Sequence, residues 1–311
     1  MIISGIQPTG NITLGNYLGA IRHWKKMQNE PCLFFVADLH SLTNYKDNLK
    51  SKIYDTVAIL LSSGIDEENI FVQSSVKEHA HLAWILTCMT HLGELKRMVQ
   101  FKDKSSSINN AGLLTYPCLQ AADILLYQAT TVPIGIDQRQ HLELTKNIAQ
   151  KFNYKFGHTF QEPKALIYPQ TSKIMDLQNP LIKMSKSNQN QAGVINLLDT
   201  KDTIIKKFSK CQTDSLNNID YNDNQPGIKN LINIGEAFGP LQIDNLSNQY
   251  GKLKKLISDK VLSDIHPIQN EFSKIRRDED YIKNIIQKGN IKAVNIASKT
   301  IKEVSDKIGI C

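Results

Sequence analysis

The sequence predicts an α/β fold in which a doubly wound parallel sheet precedes a C-terminal all-helical domain. Two observations support this prediction. The first 150 residues alternate short apolar runs with helical patterns, and each run is almost continuously apolar. Strands covered on both faces have this composition, and helices connect them when they run parallel. From about Gln178 onward the chain contains helical patterns and no convincing strand.

Four strands are predicted in the first half of the chain. Each is a short run made almost entirely of apolar residues, bounded by helical or turn patterns. They cover Ile2 to Ile6, Cys32 to Ala37, Ile70 to Ser74 and Val132 to Ile134.

Three helices have clear apolar spacing. The first follows Ile53, Val57, Leu60 and Leu61; the second buries Leu82, Ile85, Leu86 and Met89; the last runs through Ile291, Val294, Ile301, Val304 and Ile308. Gly64 is the predicted C-terminal cap of the first helix. We predict that the second begins with a capping box between Ser75 and Glu78 and ends at Gly93.

A polar stretch that begins at Gln178 marks a predicted domain boundary. We place the boundary after residue 182. Residues 1–182 then form the sheet domain, and 183–311 form a polar loop and the helical domain. The last helix is a candidate to pack back on the sheet domain.

The composition is that of an ordinary globular protein, with 41% hydrophobic and 22% charged residues. No apolar run approaches the roughly 18 residues of a membrane span, and the first residues lack the pattern of a signal peptide. The five cysteines stand far apart, without a Cys-x-x-Cys pair. We therefore expect a cytoplasmic protein with no membrane partner, no disulfide framework and no structural metal cluster.

The charge balance favours an anionic partner. Lys and Arg number 37 against 30 Asp and Glu, for a formal net charge of +7. Residues 251–311 contain 13 basic and 8 acidic residues and so carry most of that excess. Such a bias is compatible with nucleic acid as a partner.

The segment from Ser4 to Ala20, which leaves the first predicted strand and enters a helix, contains four glycines. Glycine lets the backbone approach a ligand closely, and a helix start offers unpaired amides to phosphate. The spacing matches neither the Walker loop nor Gly-x-Gly-x-x-Gly. A tight turn without a ligand is the alternative interpretation.

A second motif, Lys183-Met184-Ser185-Lys186-Ser187, lies in the polar stretch. Two ammonium groups on a flexible, hydroxyl-rich loop can close on a polyphosphate and balance the charge that develops there. A solvated basic loop is the alternative.

Together, about 170 residues apart, these motifs resemble the signatures of class I aminoacyl-tRNA synthetases. Thr13-Leu14-Gly15-Asn16 stands in place of the family's His-Ile-Gly-His, and Lys183 to Ser187 matches its second motif in every letter. Further segments are similar to the bacterial tryptophanyl type of that class: Gly5 to Gly10, Gln100 to Ser105, Gly112 to Pro117, Ala121 to Tyr127 and Asp137 to His141.

This resemblance implies a Rossmann-like fold and assigns site residues. Those implied for ATP are Gln7, Gly15, Asn16, Asp137, Lys183, Met184, Ser185, Lys186 and Ser187; those implied for tryptophan are Asp123, Tyr116, Gln138, His40, Gln120 and Ile3. Lys183, Lys186 and Lys104 are the implied catalytic cations, together with Mg²⁺. The implied partners are tRNA(Trp) and a second copy of the chain, as a homodimer. The implied reaction forms tryptophanyl-adenylate and transfers tryptophan to tRNA.

Asp123 follows an apolar run and needs a hydrogen-bond donor if it is buried. The resemblance implies that this donor is the indole N–H of tryptophan, while backbone amides or an Arg are the alternatives. Three positions depart from the commoner bacterial pattern: Ile3, Gln120 and Ile136. The first two are expected to affect the shape of the pocket.

Three other functions stay open on the sequence alone. A tyrosyl-tRNA synthetase of the same fold would need polar partners for a phenol. A small-molecule adenylyltransferase would act without tRNA. A non-catalytic, synthetase-like RNA-binding protein would not need the lysine pair.

Overall fold

By internal packing, the chain forms two compact units in this computed structural model, which describes residues 1–310 except 46, 107, 109, 169–173, 187, 189, 217, 244–245 and 247–248. Unit 1 comprises Met1–Thr9, Trp24–Ile167 and Asp278–Cys311, and unit 2 comprises Gly10–His23 and Tyr168–Arg277. The units are defined by packing alone, so the functional boundary after residue 182 stays a prediction.

A five-stranded sheet forms the centre of unit 1. Its strands are β1 (Ile2–Ile6), β2 (Cys32–Val36), β3 (Ile70–Val72), β4 (Thr131–Pro133) and β5 (Lys164–Leu166), in the order β3-β2-β1-β4-β5. All neighbouring pairs run parallel. The predicted doubly wound parallel sheet is therefore confirmed.

The strands predicted from apolar runs are present, with shifted ends. All five residues of β2 are buried, as expected for a central strand covered on both faces. The predicted strands at Ile70 to Ser74 and Val132 to Ile134 were misplaced by one or two residues. We did not predict β5, because Lys164 and Ala165 are exposed at the sheet edge and lack an apolar pattern.

The order of the strands creates a switch point between β1 and β4. The chain proceeds from β1 to β2 and β3 on one side, and then crosses to β4 and β5 on the other. In open α/β sheets, ligands bind beyond the carboxyl ends of the strands at such a point. Gln7 follows β1 there, and the turn Ile136–Gln138 follows β4.

The helices connect the strands and continue after them. In unit 1 they are α3 (Asp38–Ser41), α4 (Leu49–Ser62), α5 (Glu78–Met89), α6 (Leu92–Lys96), α7 (Val99–Lys104), α8 (Ala111–Leu125), α9 (Arg139–Phe156) and α13 (Glu279–Ile308). In unit 2 they are α1 (Leu14–Asn16), α10 (Lys201–Ser209), α11 (Pro226–Ala237) and α12 (Tyr250–Ile275), while α2 (Arg22–Met27) spans the unit boundary. Within the described residues, no helix combines the length and apolar character that a bilayer span requires.

The predicted helix ends were partly correct. Gly64 follows α4 with a φ of +87°, and its N–H donates to the Leu61 carbonyl, which confirms the predicted cap. The capping box was wrong: Ser75 ends a 3₁₀ turn, and α5 begins after Lys77 without a side-chain cap. Gly93 was also misassigned, because it lies inside α6.

The last helix, α13, closes the β3 edge of the sheet. Asn290 Oδ1 accepts the Val72 N–H at 3.1 Å, and Lys292 Nζ donates to Asn69 Oδ1 at 2.9 Å. Gly289 permits this close approach, since a Cβ there would lie only 1.7 Å from the Ile70 carbonyl oxygen. The helix thus satisfies a strand amide that an open edge would leave exposed. α13 therefore packs on the sheet within unit 1.

We predict that Gly289→Ala lowers the free energy of unfolding by about 1–3 kcal/mol, because the new methyl group forces helix and strand apart. Chemical denaturation measures this change. Gly93→Ala is the matched control in unit 1: it also lies in a helix, and a Cβ there meets nothing within 4 Å. Equal stability of the two variants would contradict the close packing of α13 on β3.

Candidate active site

The glycine-rich segment after β1 forms a turn and a capped helix start. Gly10 has a φ of +64°, which explains a glycine at this position. Thr13 is the N-cap of α1: its Oγ1 accepts the Asn16 N–H at 3.2 Å, and Asn16 Oδ1 accepts the Thr13 N–H at 3.1 Å. The two residues that replace the family's histidines therefore form a reciprocal capping box.

A second segment of unit 2 anchors this helix start. The Leu14 N–H donates to the Ile195 carbonyl, and the Leu197 N–H donates to the Ile12 carbonyl, both at 2.8 Å. Thr13 and Asn196 form an antiparallel bridge between these bonds. The motif is thus fixed to the chain that follows the lysine loop.

The lysine motif lies beside the glycine turn. A Cβ at Gly10 would be 3.5 Å from the Cβ of Lys186, and one at Gly15 would be 3.5 Å from the Met184 carbonyl oxygen. Met184 is buried, Lys183 is exposed and Lys186 is half-buried. Unit 2 therefore brings the two motifs together, as a shared polyphosphate ligand would require. Ser187, also predicted to bind ATP, lies outside the described residues.

In unit 1, Asp123 is a buried acid with three side-chain partners. Gln73 Nε2 and His79 Nδ1 contact its Oδ1 at 2.7 and 2.6 Å, and His40 Nε2 contacts Oδ2 at 2.7 Å. The hydrogen-bond donors that Asp123 needs are therefore side chains of the protein. They are neither backbone amides nor an Arg, the two alternatives considered from the sequence. A carboxylate has about four acceptor positions. One of them, on Oδ2, is left by these three contacts.

Asp123 stays ionised in spite of its burial. Desolvation alone would raise the pKa of its carboxyl, but the charge and hydrogen bond of His40 and the hydrogen bond of His79 outweigh it and lower the pKa to about 2. A carboxylate that is always charged is a strong acceptor for an N–H group.

His79 continues this network to Tyr127. Its Nε2 lies 2.8 Å from the Tyr127 hydroxyl. Nδ1 of His79 therefore faces Asp123 and Nε2 faces Tyr127, so both ring nitrogens have a hydrogen-bond partner. Burial, with the nearby Asp123 charge, raises the pKa of Tyr127, which keeps its hydroxyl a donor.

Sequence reasoning missed Gln73 and His79 as members of this network. Gln73 directly follows β3, and ligands of open α/β sheets bind beyond the carboxyl ends of the parallel strands. That position was the available signal for Gln73. His79 had none, because a histidine inside an apolar helix pattern is usually a core residue.

Tyr116 belongs to a second group of contacts near His40. Its hydroxyl lies 2.6 Å from His141 Nε2 and donates to Gln100 Oε1 at 3.0 Å, and its ring stands edge-on to that of His40. Burial lowers the pKa of His141 to about 4, so this imidazole is neutral near pH 7. Gln100 Oε1 also accepts from Lys104 Nζ at 3.5 Å.

Three of the predicted residues form a chain of contacts at the end of β4. Gln120 Nε2 donates to Gln138 Oε1 at 3.3 Å, and Gln138 Nε2 donates to Asp137 Oδ2 at 3.0 Å. Asp137 does not cap α9, because Gln138 is the N-cap and makes no side-chain cap bond. An N-cap role for Asp137, the usual reading at a helix start, is therefore excluded.

Two other predicted site residues, Ile3 and Gln7, differ in their exposure. Ile3 exposes none of its surface and packs in the core of unit 1, so the structure gives it a core position. Gln7 is exposed just beyond β1. Ile136, the third departure from the bacterial pattern, is half exposed.

Comparisons with known proteins decide the family. The family model for tRNA synthetases class I (W and Y) matches residues 1–266. The chain belongs to this family. The tryptophan–tRNA ligase of Clostridium acetobutylicum is 42% identical, over 99% of this chain and 96% of that protein. That of Helicobacter pylori is 44% identical, over 99% and 98%.

Solved structures agree with this assignment. The tryptophanyl-tRNA synthetase of Mycoplasma pneumoniae has a TM-score of 0.92 at 36% identity, over 100% of this chain and 98% of that one. The Campylobacter jejuni enzyme, complexed with ADP and tryptophan, has a TM-score of 0.84 at 30% identity, over 99% of each chain. The family fold therefore extends over the whole chain.

Proposed function

We propose that this chain is a tryptophan–tRNA ligase. It joins tryptophan to ATP, releasing diphosphate, and transfers the aminoacyl group from tryptophanyl-adenylate to tRNA(Trp), releasing AMP. The observation that carries the proposal is the approach of Lys186 and Met184 to the glycine turn within unit 2. The names of the relatives and the ADP and tryptophan in the Campylobacter jejuni complex support it.

ATP binds through groups of three kinds. Gly15, which has no Cβ at the start of α1, lets the phosphates approach the main chain closely. Lys183 and Lys186 supply positive charge, and the resemblance assigns Met184, Ser185 and Ser187 of the same motif to ATP as well. Gln7, Asn16 and Asp137 contact the remainder of the nucleotide.

The first step needs no general base. The tryptophan carboxylate is already ionised at neutral pH and attacks the α-phosphorus while the bond to the diphosphate oxygen breaks. The chain's contribution is in-line positioning and positive charge from Lys183, Lys186 and Lys104 against the leaving diphosphate.

Mg²⁺ enters as part of the ATP complex. Among the described residues, no three His, Cys, Asp or Glu side chains are grouped so as to hold a metal ion. Mg²⁺ is commonly bound through substrate phosphates with few protein ligands. The described residues therefore fit a metal ion that is bound mainly by the triphosphate of ATP.

Tryptophan is recognised at both of its ends. The remaining acceptor position of Asp123 receives the indole N–H, with His40 beside it. Tyr116 and Gln138 hold the ammonium and carboxylate groups, and Gln120 supports Gln138 through the bond described above. Phenylalanine is rejected because it has no N–H to offer this carboxylate.

The second step needs tRNA, which we assign to the basic helical part of the chain. The 13 basic residues of 251–311 suit a polyanion. Single-stranded anticodon bases are read by stacking and edge contacts. We place the enzyme in the cytoplasm, where charged tRNA enters translation.

The active enzyme is a homodimer. Trp84 on α5, Leu92 on α6 and Val99 on α7 are 69%, 55% and 55% exposed, so three consecutive helices leave large apolar side chains in water. We expect light scattering to give the molar mass of a dimer for the wild type and of a monomer for Trp84→Glu, because a charge at this position disfavours burial in an interface. Tyr154→Glu, at a side chain that is 95% exposed on α9, is the control and keeps the mass of two chains. A monomeric wild type would contradict this interface.

We predict that Lys186→Ala lowers the rate of tryptophan-dependent ATP–diphosphate exchange at least about tenfold, equal to roughly 1.4 kcal/mol. The KM for tryptophan changes little, because Lys186 acts on the phosphates. Lys201→Ala, at an exposed lysine that begins α10, is the matched control. Loss of tryptophan affinity without loss of rate would refute this role.

The same assay separates the competing functions. Exchange with tyrosine in place of tryptophan would identify a tyrosyl enzyme, and no exchange at all would identify a non-catalytic relative. Exchange without aminoacylation of tRNA would identify a small-molecule adenylyltransferase.

A further inference from the structure

The loop that carries the lysine motif is built on a buried carboxylate. Asp176 is 2% exposed and precedes the motif by seven residues. Its Oδ1 accepts the N–H groups of Gln178 and Asn179 at 2.8 and 3.1 Å. A Cβ at Gly193 would overlap this oxygen, so the far end of the loop packs directly against it. A buried charge is tolerated only with such hydrogen bonds.

The base of the loop is fixed to helix α11. Asn230 is 3% exposed there. Its Oδ1 accepts the Met175 N–H, and its Nδ2 donates to the Met175 carbonyl, both at 2.9 Å. Met175 also forms an antiparallel bridge with Lys183. The strand-like segment before the loop is therefore rigidly placed within unit 2.

One side chain joins this base to the motif itself. Asn188 Nδ2 donates to Asp176 Oδ2 at 2.8 Å and to the main-chain carbonyl of Lys183 at 3.2 Å. The amide therefore links the first lysine of the motif to the buried acid. We call the Asp176 carboxylate, the Asn188 amide and the Lys183 carbonyl the loop clasp.

We propose that Asn188 is a positioning residue for adenylate formation. It holds the backbone of Lys183 against Asp176, so that the lysine pair is presented in one conformation to the triphosphate. The inference rests on the proposed function of the loop. Pre-organised positive charge acts on the leaving diphosphate without being rearranged during the reaction, and a loosened loop loses part of that effect.

Two substitutions test the clasp. Asn188→Ala removes both bonds and is expected to lower kcat for ATP–diphosphate exchange at least about tenfold, with KM for tryptophan unchanged within about twofold. Asn188→Asp lowers kcat further, because it sets a second carboxylate against Asp176. The melting temperature of Asn188→Ala stays within a few degrees of the wild type, since Asp176 keeps the main-chain donors of Gln178 and Asn179.

A double exchange separates the two bonds of the amide. Asp176→Asn combined with Asn188→Asp restores a donor–acceptor pair between the side chains, but leaves the Lys183 carbonyl without its donor. We expect kcat to recover only partly from the Asn188→Asp value. Full recovery would overturn the part of the proposal that concerns Lys183.

Asn190→Ala is the matched control on the same polar loop. Its amide caps the short turn Gln191–Gly193 by accepting the Ala192 N–H, and we expect the wild-type rate. Equal losses for Asn188→Ala and Asn190→Ala, or no loss for either, would overturn the proposal. Lys186→Ala in the same assay separates the clasp from the proposed function of the loop. If the exchange rates of Asn188→Ala and Lys186→Ala both equal that of the wild type, the proposed function of the loop is wrong. If only Lys186→Ala is slower, the proposal about the clasp alone is wrong.

Discussion

The ionised carboxylate of Asp123 is the constraint on which the proposed tryptophan site depends. It would be costly in the core of unit 1 without partners, and three neighbours stabilise it from different elements: His40 on α3, Gln73 beyond β3 and His79 on α5. These elements lie at the carboxyl ends of adjacent strands, where the sheet topology brings them together. The same contacts that stabilise the buried acid leave one acceptor position on Oδ2, and the proposed function assigns that position to the indole N–H.

The phosphate chemistry depends on a different kind of constraint, which is backbone geometry in unit 2. Gly10 turns the chain with a positive φ, and Thr13 and Asn16 cap the helix that follows. Because the lysine motif packs against this turn, the proposed phosphate site combines the positive charge of the lysines with a close approach to the main chain at the glycines. Side-chain identity matters most at the lysines, while the rest of the phosphate site depends on how the loop and turn are held.

The central strands and several helices were predictable from local sequence patterns, whereas the partners of the buried acids depend on tertiary contacts. The apolar runs identified β1 and β2 because both faces of these strands are covered. Ser75 was misread as a helix cap because Gln73 and Ser74 bond to Asp123 and Asp38, which draws this turn away from α5. The partners of Asp123 are 44 to 83 residues away in sequence, so spacing could not reveal them. Likewise, the clasp on Lys183 depends on Asp176, a buried acid that stands in the sequence between Met175 and Leu177, just before the polar stretch.

The most direct test of the Asp123 account alters the substrate and leaves the fold intact. The wild-type protein is assayed by ATP–diphosphate exchange with tryptophan and with benzothienylalanine, in which sulfur replaces the indole N–H. Since a hydrogen bond to a charged group is worth about 1.5–3 kcal/mol, kcat/KM should favour tryptophan by about ten- to a hundredfold. That preference should shrink toward one in Asp123→Asn, whose amide no longer supplies the same acceptor. Equal kcat/KM for the two amino acids in the wild type would contradict the account.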